Sequence, residues 1–351
     1  MSKAYSDSGV DIHQGEKFVE KISSILNRYK VNDERVISGV GGFASLYEMG
    51  DRLLAAATDG VGTKLKIAHH LDSYTGLGQD LLAMCANDIV CTGAKPLFFL
   101  DYLACGKLNP HRDAQIIEGL AKSCFDISCV LIGGETAEMP GCYPEDGFDL
   151  AGFCVGEVSK DRIIDGQNIK QGDSLIGLSS NGIHSNGLSF FRKWVDYNRT
   201  EILEEALRPT FLYSKIINDV LDEISYSDAA CIKGIAHITG GGLRNISRVI
   251  PSEDLQVQIT NLIDPDQVSS VFSYLRDSSG VDYKQLYEIL NMGVGMVLIT
   301  SRPDDLFNLL QTKIQELGLS MSPFLMGEVT KKQIESDPDI CVNTNDLNFE
   351  Y

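Results

Sequence analysis

The chain has 351 residues, 43% hydrophobic and 23% charged, an ordinary globular composition with enough apolar residues to bury more than one core. Its 49 acidic residues against 30 basic ones give a formal charge of −19, which argues against nonspecific binding to nucleic acid or an anionic membrane but leaves local anion sites open. No apolar run approaches the ~18 residues of a membrane span. The stretch "MSKAYSDSGVDIHQGEKF" lacks a signal peptide's apolar core, and nine cysteines without a CxxC pair point to free thiols in a reducing cytoplasm.

The length suggests two domains. In chain order, Arg52 to Thr58 reads as a strand, Asp80 to Cys91 as a helix and Leu97 to Ala104 as a strand. His111 to Cys124 follows as a helix, with Cys129 to Ile132 and Asp149 to Val158 as further strands. This alternation predicts an α/β domain over 1–165. The polar connector Ser159 to Asp173 marks the boundary to a second domain over 166–340. There a strand at Ser174 to Leu178 precedes helices at Ser185 to Tyr197 and Phe211 to Ile224. A short helix after Gly242, the strand "LQVQIT", helices near Pro265 to Asp277 and Tyr283 to Leu290, the strand "GVGMVLIT", a helix from Pro303 to Leu317 and a strand ending in "MGEV" complete an α/β pattern. The polar tail after Thr330 is expected to be loose.

Five stretches carry chemistry. In "LLAAATDGVGTKLKIA", Asp59 ends a strand, Gly60 and Gly62 permit a close turn, and Thr63 and Lys64 open a helix. Amides at a helix start cradle anions, and Lys64 adds a point charge. Asp59 is a hard oxygen ligand suited to magnesium, or a simple cap. The mostly apolar helix "QDLLAMCANDIVCTGA" carries Asp80, Asn87 and Asp88 within about a quarter turn of one another. Such a stripe on a buried helix requires partners or a metal, unless it faces solvent. "LIGGETAEMPG" sets Glu135 and Glu138 at the end of an apolar strand, in what reads as a confined place. In the second half, "GIHSNG" lifts His184 onto a glycine-flanked loop beside Asn186. "HITGGG" places His237 and Thr239 before Gly240, Gly241 and Gly242 at a helix start, again suited to an anion. Weaker features are the glycine loop of Ser38 to Tyr47, Asp101 amid aromatics, and Asp11, either a metal ligand or a helix cap.

These motifs occur in one order, with "YSDSGVDI" first and "NMGVGM" last. That order resembles the phosphoribosylformylglycinamidine cyclo-ligase (aminoimidazole ribonucleotide synthetase) family from about Tyr5 to Val329. The resemblance implies an N-terminal ferredoxin-like α/β domain whose sheets form a barrel across a homodimer, followed by a C-terminal α/β domain that binds substrate. It implies ATP-dependent closure of formylglycinamidine ribonucleotide to aminoimidazole ribonucleotide in purine biosynthesis, with ATP and magnesium as cofactors and potassium an open further cation. Under it, Asp59, Asp88 and Asp11 are expected to bind magnesium. Lys64, Thr63 and the amides of Gly41, Gly42 and Gly62 are expected at the ATP phosphates. Glu135 is expected by the metal or substrate, with Glu138 in support or merely bracing the loop. His184 and His237 are expected to handle protons, and Asn186, Thr239 and Gly240 to Gly242 to hold the substrate phosphate. Leu188 and Leu290 depart from the family pattern, as do Ser45 and Tyr47, and a further ATP-contacting lysine is either Lys21 or Lys30. The alternative reading is a small-metabolite kinase of the same superfamily.

Overall fold

The structure is a computed structural model that describes residues 12–29, 33–38, 42–224, 231–334 and 336–351. Asp11, Lys30 and Gly41 therefore lie outside the described residues.

An amphipathic helix, α1 (Ile12–Arg28), precedes a six-stranded sheet. Its strands are β1 (Val36–Ser38), β2 (Ser45–Met49), β3 (Arg52–Gly60), β4 (Lys95–Cys105), β5 (Val130–Glu138) and β6 (Phe148–Ser159), in the order β1-β2-β3-β6-β4-β5. Only β4 and β5 are parallel, joined through the helix α4 (Pro110–Asp126) as a crossover requires. That helix begins cleanly. Asn109 accepts the Arg112 backbone N–H at 3.2 Å, and Pro110 occupies the first position, where no donor is needed. Helices α2 (Lys64–Leu71) and α3 (Thr75–Val90) complete this half. α3 and α4 cover one face of the sheet and approach closely. A Cβ on Gly119 would come within 1.9 Å of the Thr75 carbonyl oxygen, so only glycine allows this crossing.

Among the described residues nothing covers the opposite face of this sheet, which is bare. Val130 and Ile132 on the edge strand β5 are 59% and 61% exposed, and Tyr102 and Phe153 beside them are also exposed. An apolar face of this kind marks an interaction surface.

The second sheet runs β13-β12-β9-β11-β7-β10-β8, built from β7 (Ser174–Ser179), β8 (Ile232–His237), β9 (Leu255–Ile259), β10 (Val294–Thr300), β11 (Pro323–Lys331), β12 (Ile340–Asn343) and β13 (Asn348–Glu350). Every residue of β10 is buried. Val297 and Ile299 enter one core and Met296 and Leu298 the other, so the strand is apolar without alternation because both faces are covered.

Several expectations change. The mixed α/β (α+β) character holds, with most strand pairs in both sheets antiparallel. The glycine loop after Ser38 gives way to the strand β2 at Ser45, where Leu46 is buried. The tail is not loose. Ile340 to Val342 pairs in parallel with β9, Phe349 is buried, and the Arg244 guanidinium stacks 4.9 Å from the Tyr351 ring. Two further elements, β8 and the helix α6 (Thr200–Ala206), were not expected from the sequence.

Candidate active site

The polar stripe of α3 faces the other sheet's half of the molecule. Asn87 Nδ2 donates to the Phe211 carbonyl at 2.9 Å, and the Ser214 N–H donates to Asn87 Oδ1 at 3.1 Å. Gln79 Nε2 donates to the Thr210 carbonyl at 2.8 Å. Asp80 is fully buried. Its Oδ1 accepts from Lys64 Nζ (2.9 Å), Ser185 Oγ (2.9 Å), the Thr210 N–H (2.7 Å) and Thr210 Oγ1 (2.7 Å). Lys64 is equally buried and donates also to the Arg208 carbonyl at 2.7 Å. Burial pushes the lysine pKa down against the pull of Asp80. The stripe thus neither faces solvent nor, at Asp80, waits for a metal. Lys64, expected at the ATP phosphates, has its ammonium occupied by Asp80 and Arg208.

Asp88, one residue beyond Asn87, reaches the cleft. His237 Nδ1 lies 2.8 Å from Asp88 Oδ1, and Asn87 Nδ2 lies 3.5 Å from His237 Nε2. This network assigns the neutral tautomer with Nδ1–H donating to Asp88 and Nε2 accepting from Asn87. His237 is the last residue of β8 and is buried by its neighbours.

Asp59 completes this cluster. It stands near the end of β3, is reached by solvent, and is still surrounded mostly by protein, as a group at the bottom of a cleft is. Desolvation raises its carboxyl pKa, the Gly60 N–H at 2.7 Å lowers it, Asp88 raises it and His237 lowers it. Asp88 is therefore close enough to disfavour the charge of Asp59, an arrangement that a cation would relieve. Among the described residues no three His, Cys, Asp or Glu side chains form a ready metal cage. Magnesium does not need one, since it usually takes one or two carboxylates together with waters and phosphate oxygens. Asp59 and Asp88 fit that donor set.

The turn after Asp59 is open. Gly62 has φ +66°, and a Cβ placed on it would meet nothing within 4 Å. Thr63 touches Ser189 across the domain junction, with 3.3 Å between their hydroxyls. On the far side, Gly241 (φ +93°) and Gly242 (φ +59°) turn in the left-handed region, and a Cβ on Gly242 would meet the Tyr287 carbonyl at 1.8 Å. A Cβ on Gly240 would sit 3.4 Å from Asn186 Oδ1, so Asn186, Thr239 and this turn do share one spot.

Two expected residues lie elsewhere. Asp59, Gly152, Asp101 and Gly134 occupy one row across four strands, and Gly60, Ala151, Tyr102 and Glu135 the next. Adjacent rows point to opposite faces. Glu135 therefore lies on the bare face, away from Asp59, and among the described residues accepts only the next backbone N–H, from Thr136, at 2.9 Å. The two acids are not confined within this chain: both are exposed on the edge strand. Glu138 accepts the Leu108 N–H at 2.8 Å, so it braces the loop before α4. His184 is 2% exposed with φ +58°, and neither ring nitrogen has a hydrogen-bond partner among the described residues. Burial, Lys64 and His237 together hold its pKa well below the usual histidine value, so it is a neutral ring packed near Phe211 and Tyr213. Sequence reasoning missed Arg248, whose only signal was a cation in the helix after the glycine turn. It donates to the Gly42 carbonyl at 2.7 Å and stacks 4.2 Å from the Phe43 ring.

Residues 41–158 match the family described as AIR synthase related protein, N-terminal domain, and residues 170–336 its C-terminal domain. The chain is 44% identical over 319 residues to a phosphoribosylformylglycinamidine cyclo-ligase of Finegoldia magna, covering 87% of this chain and 90% of that protein. It is 42% identical over 349 residues to the same-named protein of Geobacillus thermodenitrificans, covering 94% and 96%. Its fold is similar to that in a HypE-HypF complex (TM-score 0.63, 17% identity, 94% and 97% covered) and in AaThiL complexed with AMPPCP and TMP (TM-score 0.60, 17% identity, 94% of each). The chain belongs to the phosphoribosylformylglycinamidine cyclo-ligase family.

Proposed function

We propose that this protein closes formylglycinamidine ribonucleotide to aminoimidazole ribonucleotide at the expense of ATP, releasing ADP and phosphate. The observation that carries this reading is the convergence of Asp59, Asp88 and His237, with a glycine turn following Asp59 in one domain and another following His237 in the other. An amide oxygen is a poor leaving group. Transfer of the γ-phosphoryl group to the formyl oxygen creates an iminophosphate, and the amidine nitrogen of the same substrate then attacks that carbon as phosphate departs. The second step is intramolecular, so positioning supplies much of the acceleration. Magnesium, when bound, neutralises charge on the phosphates. Asp59 and Asp88 would hold it. His237, oriented by Asp88, is placed to manage a proton, while Asn186, Thr239 and the Gly240 to Gly242 turn hold the substrate phosphate. The amides of Gly62, Thr63 and Gly42 face the nucleotide. Lys64 we assign to the domain joint and His184 to packing.

We further assign the domain boundary to residues 160–173 and read the bare sheet face as the half-barrel of a homodimer, which brings Glu135 into a shared interior. A reducing cytoplasm suits nine free thiols. No described helix is long and apolar enough to cross a membrane. The test is ADP release from magnesium and ATP with and without formylglycinamidine ribonucleotide, with aminoimidazole ribonucleotide followed by its diazotisable amine. One product per ADP is expected. Phosphorylated substrate without ring closure would favour a kinase.

A further inference from the structure

The Gly240–Gly242 turn is physically connected to Gly42, in the glycine loop of the first half. Asn245, on the short helix after the second turn, donates through Nδ2 to the carbonyls of Gly240 (3.1 Å) and Gly242 (2.9 Å). Its Oδ1 accepts from Arg248 Nη1 at 3.2 Å. Arg248 Nη2 donates to the Gly42 carbonyl at 2.7 Å, and its guanidinium lies 4.2 Å from the centre of the Phe43 ring. Gly240 and Gly42 belong to different halves of the molecule, yet two side chains separate their carbonyls.

The geometry has a chemical consequence. In a trans peptide the carbonyl and the following N–H point in opposite directions, and the described chain contains no cis peptide bond. Holding the Gly240 carbonyl toward Asn245 turns the Gly241 N–H away from it. Holding the Gly42 carbonyl toward Arg248 turns the Phe43 N–H away likewise. Each anchor thus fixes the direction of one backbone donor in a turn that has glycine's freedom and would otherwise sample many orientations. An anion that settles one turn therefore lowers the ordering cost left for the other.

We propose that Asn245 and Arg248 form a positioning relay that orients the backbone donors of both phosphate-holding turns and couples their occupancy, so that the nucleotide and the phosphorylated substrate each favour binding of the other. The inference rests on the function proposed above and deepens it. Neither residue touches the reacting atoms. An anion that orders one turn fixes its carbonyl, which fixes Asn245 and the guanidinium, which fixes the second turn. By linkage the effect is reciprocal.

The experiment is a binding cycle by calorimetry on the full chain. Affinity for a non-hydrolysable ATP analogue with magnesium is measured with and without saturating formylglycinamidine ribonucleotide, in the wild type, Arg248→Met, Arg248→Lys and Asn245→Ala, each checked for an unchanged thermal midpoint. In the wild type the substrate is expected to tighten nucleotide binding at least about fivefold. Arg248→Met is expected to weaken the nucleotide about tenfold by itself and to reduce the coupling to about one. Arg248→Lys retains one donor for Gly42 but not the fork that also reaches Asn245. It should recover most of the nucleotide affinity without recovering the coupling, a split that lost packing would not produce. Coupling retained in Arg248→Met and Asn245→Ala, or absent in a wild type that turns substrate over, overturns the relay and leaves the proposed function standing. A wild type with no substrate-dependent ADP release overturns both.

Discussion

Replacing Lys64 by methionine tests whether the joint between the domains rests on a buried charge pair. The substitution keeps the length of the side chain and removes its charge. Asp80 would then remain fully buried with three hydrogen-bond donors on Oδ1, from Ser185 and Thr210, and none on Oδ2. The Arg208 carbonyl would lose its lysine. Removing one partner of a buried pair costs about 3–5 kcal/mol, because the remaining charge has been taken out of water without compensation. At about 2–4 °C per kcal/mol for domains of this size, the midpoint of thermal unfolding should fall by about 6–20 °C. Differential scanning calorimetry at neutral pH reads this, and the companion Lys64→Met/Asp80→Asn variant should recover most of the loss. A Lys64→Met protein that melts with the wild type but shows a raised KM for ATP would refute the joint and return this lysine to the nucleotide.

Asp59→Asn should lower kcat/KM by about 10³-fold without lowering the melting midpoint, since burial and Asp88 already disfavour the charge it removes; steady-state kinetics with calorimetry on the same sample reads both. His184→Asn keeps a residue that tolerates φ +58° and removes a histidine whose pKa is depressed in the folded state. Below about pH 6.5 the unfolded chain gains a proton that the folded chain refuses, so stability falls as the pH drops. The variant should lose up to about 1.4 kcal/mol per pH unit of that slope, measured by urea unfolding between pH 7 and pH 5; an unchanged slope would mean that this ring is not kept neutral. Ile132→Glu charges the bare sheet face and should convert a dimer into monomer in sedimentation velocity, whereas a wild type that sediments as a monomer would defeat the half-barrel reading.

The sequence made the first sheet legible because β3, β4 and β6 are long, apolar and punctuated by glycine. Short elements escaped it: β2 follows a glycine-rich loop that masks Leu46, and the C-terminal strands are polar on their open side and show only in the pairing of β12 with β9 and of β13 with β12. For the site, motif chemistry singled out Asp59, Asp88 and His237 as candidates, and the three lie together. It misread Lys64 and the expected confinement of Glu135 for one reason. A motif gives the residue type and its neighbours in the chain, whereas burial and strand face depend on what packs from elsewhere. Asp80 claims Lys64 from the next helix, and the pleat sends Glu135 to the side opposite Asp59. Arg248 was invisible because its partner, Gly42, is 206 residues away.

The stitching of α3 to residues 210–214 limits how ligands enter. Swinging the two halves apart would draw Lys64 and Asp80 into view and break the contacts of Gln79 and Asn87 together, a cost paid at every catalytic cycle. Access to the cleft must therefore be governed at its rim, by the turns themselves, with the helix as a fixed post. Mutations along that post should change how long the protein survives far more than how fast substrate arrives.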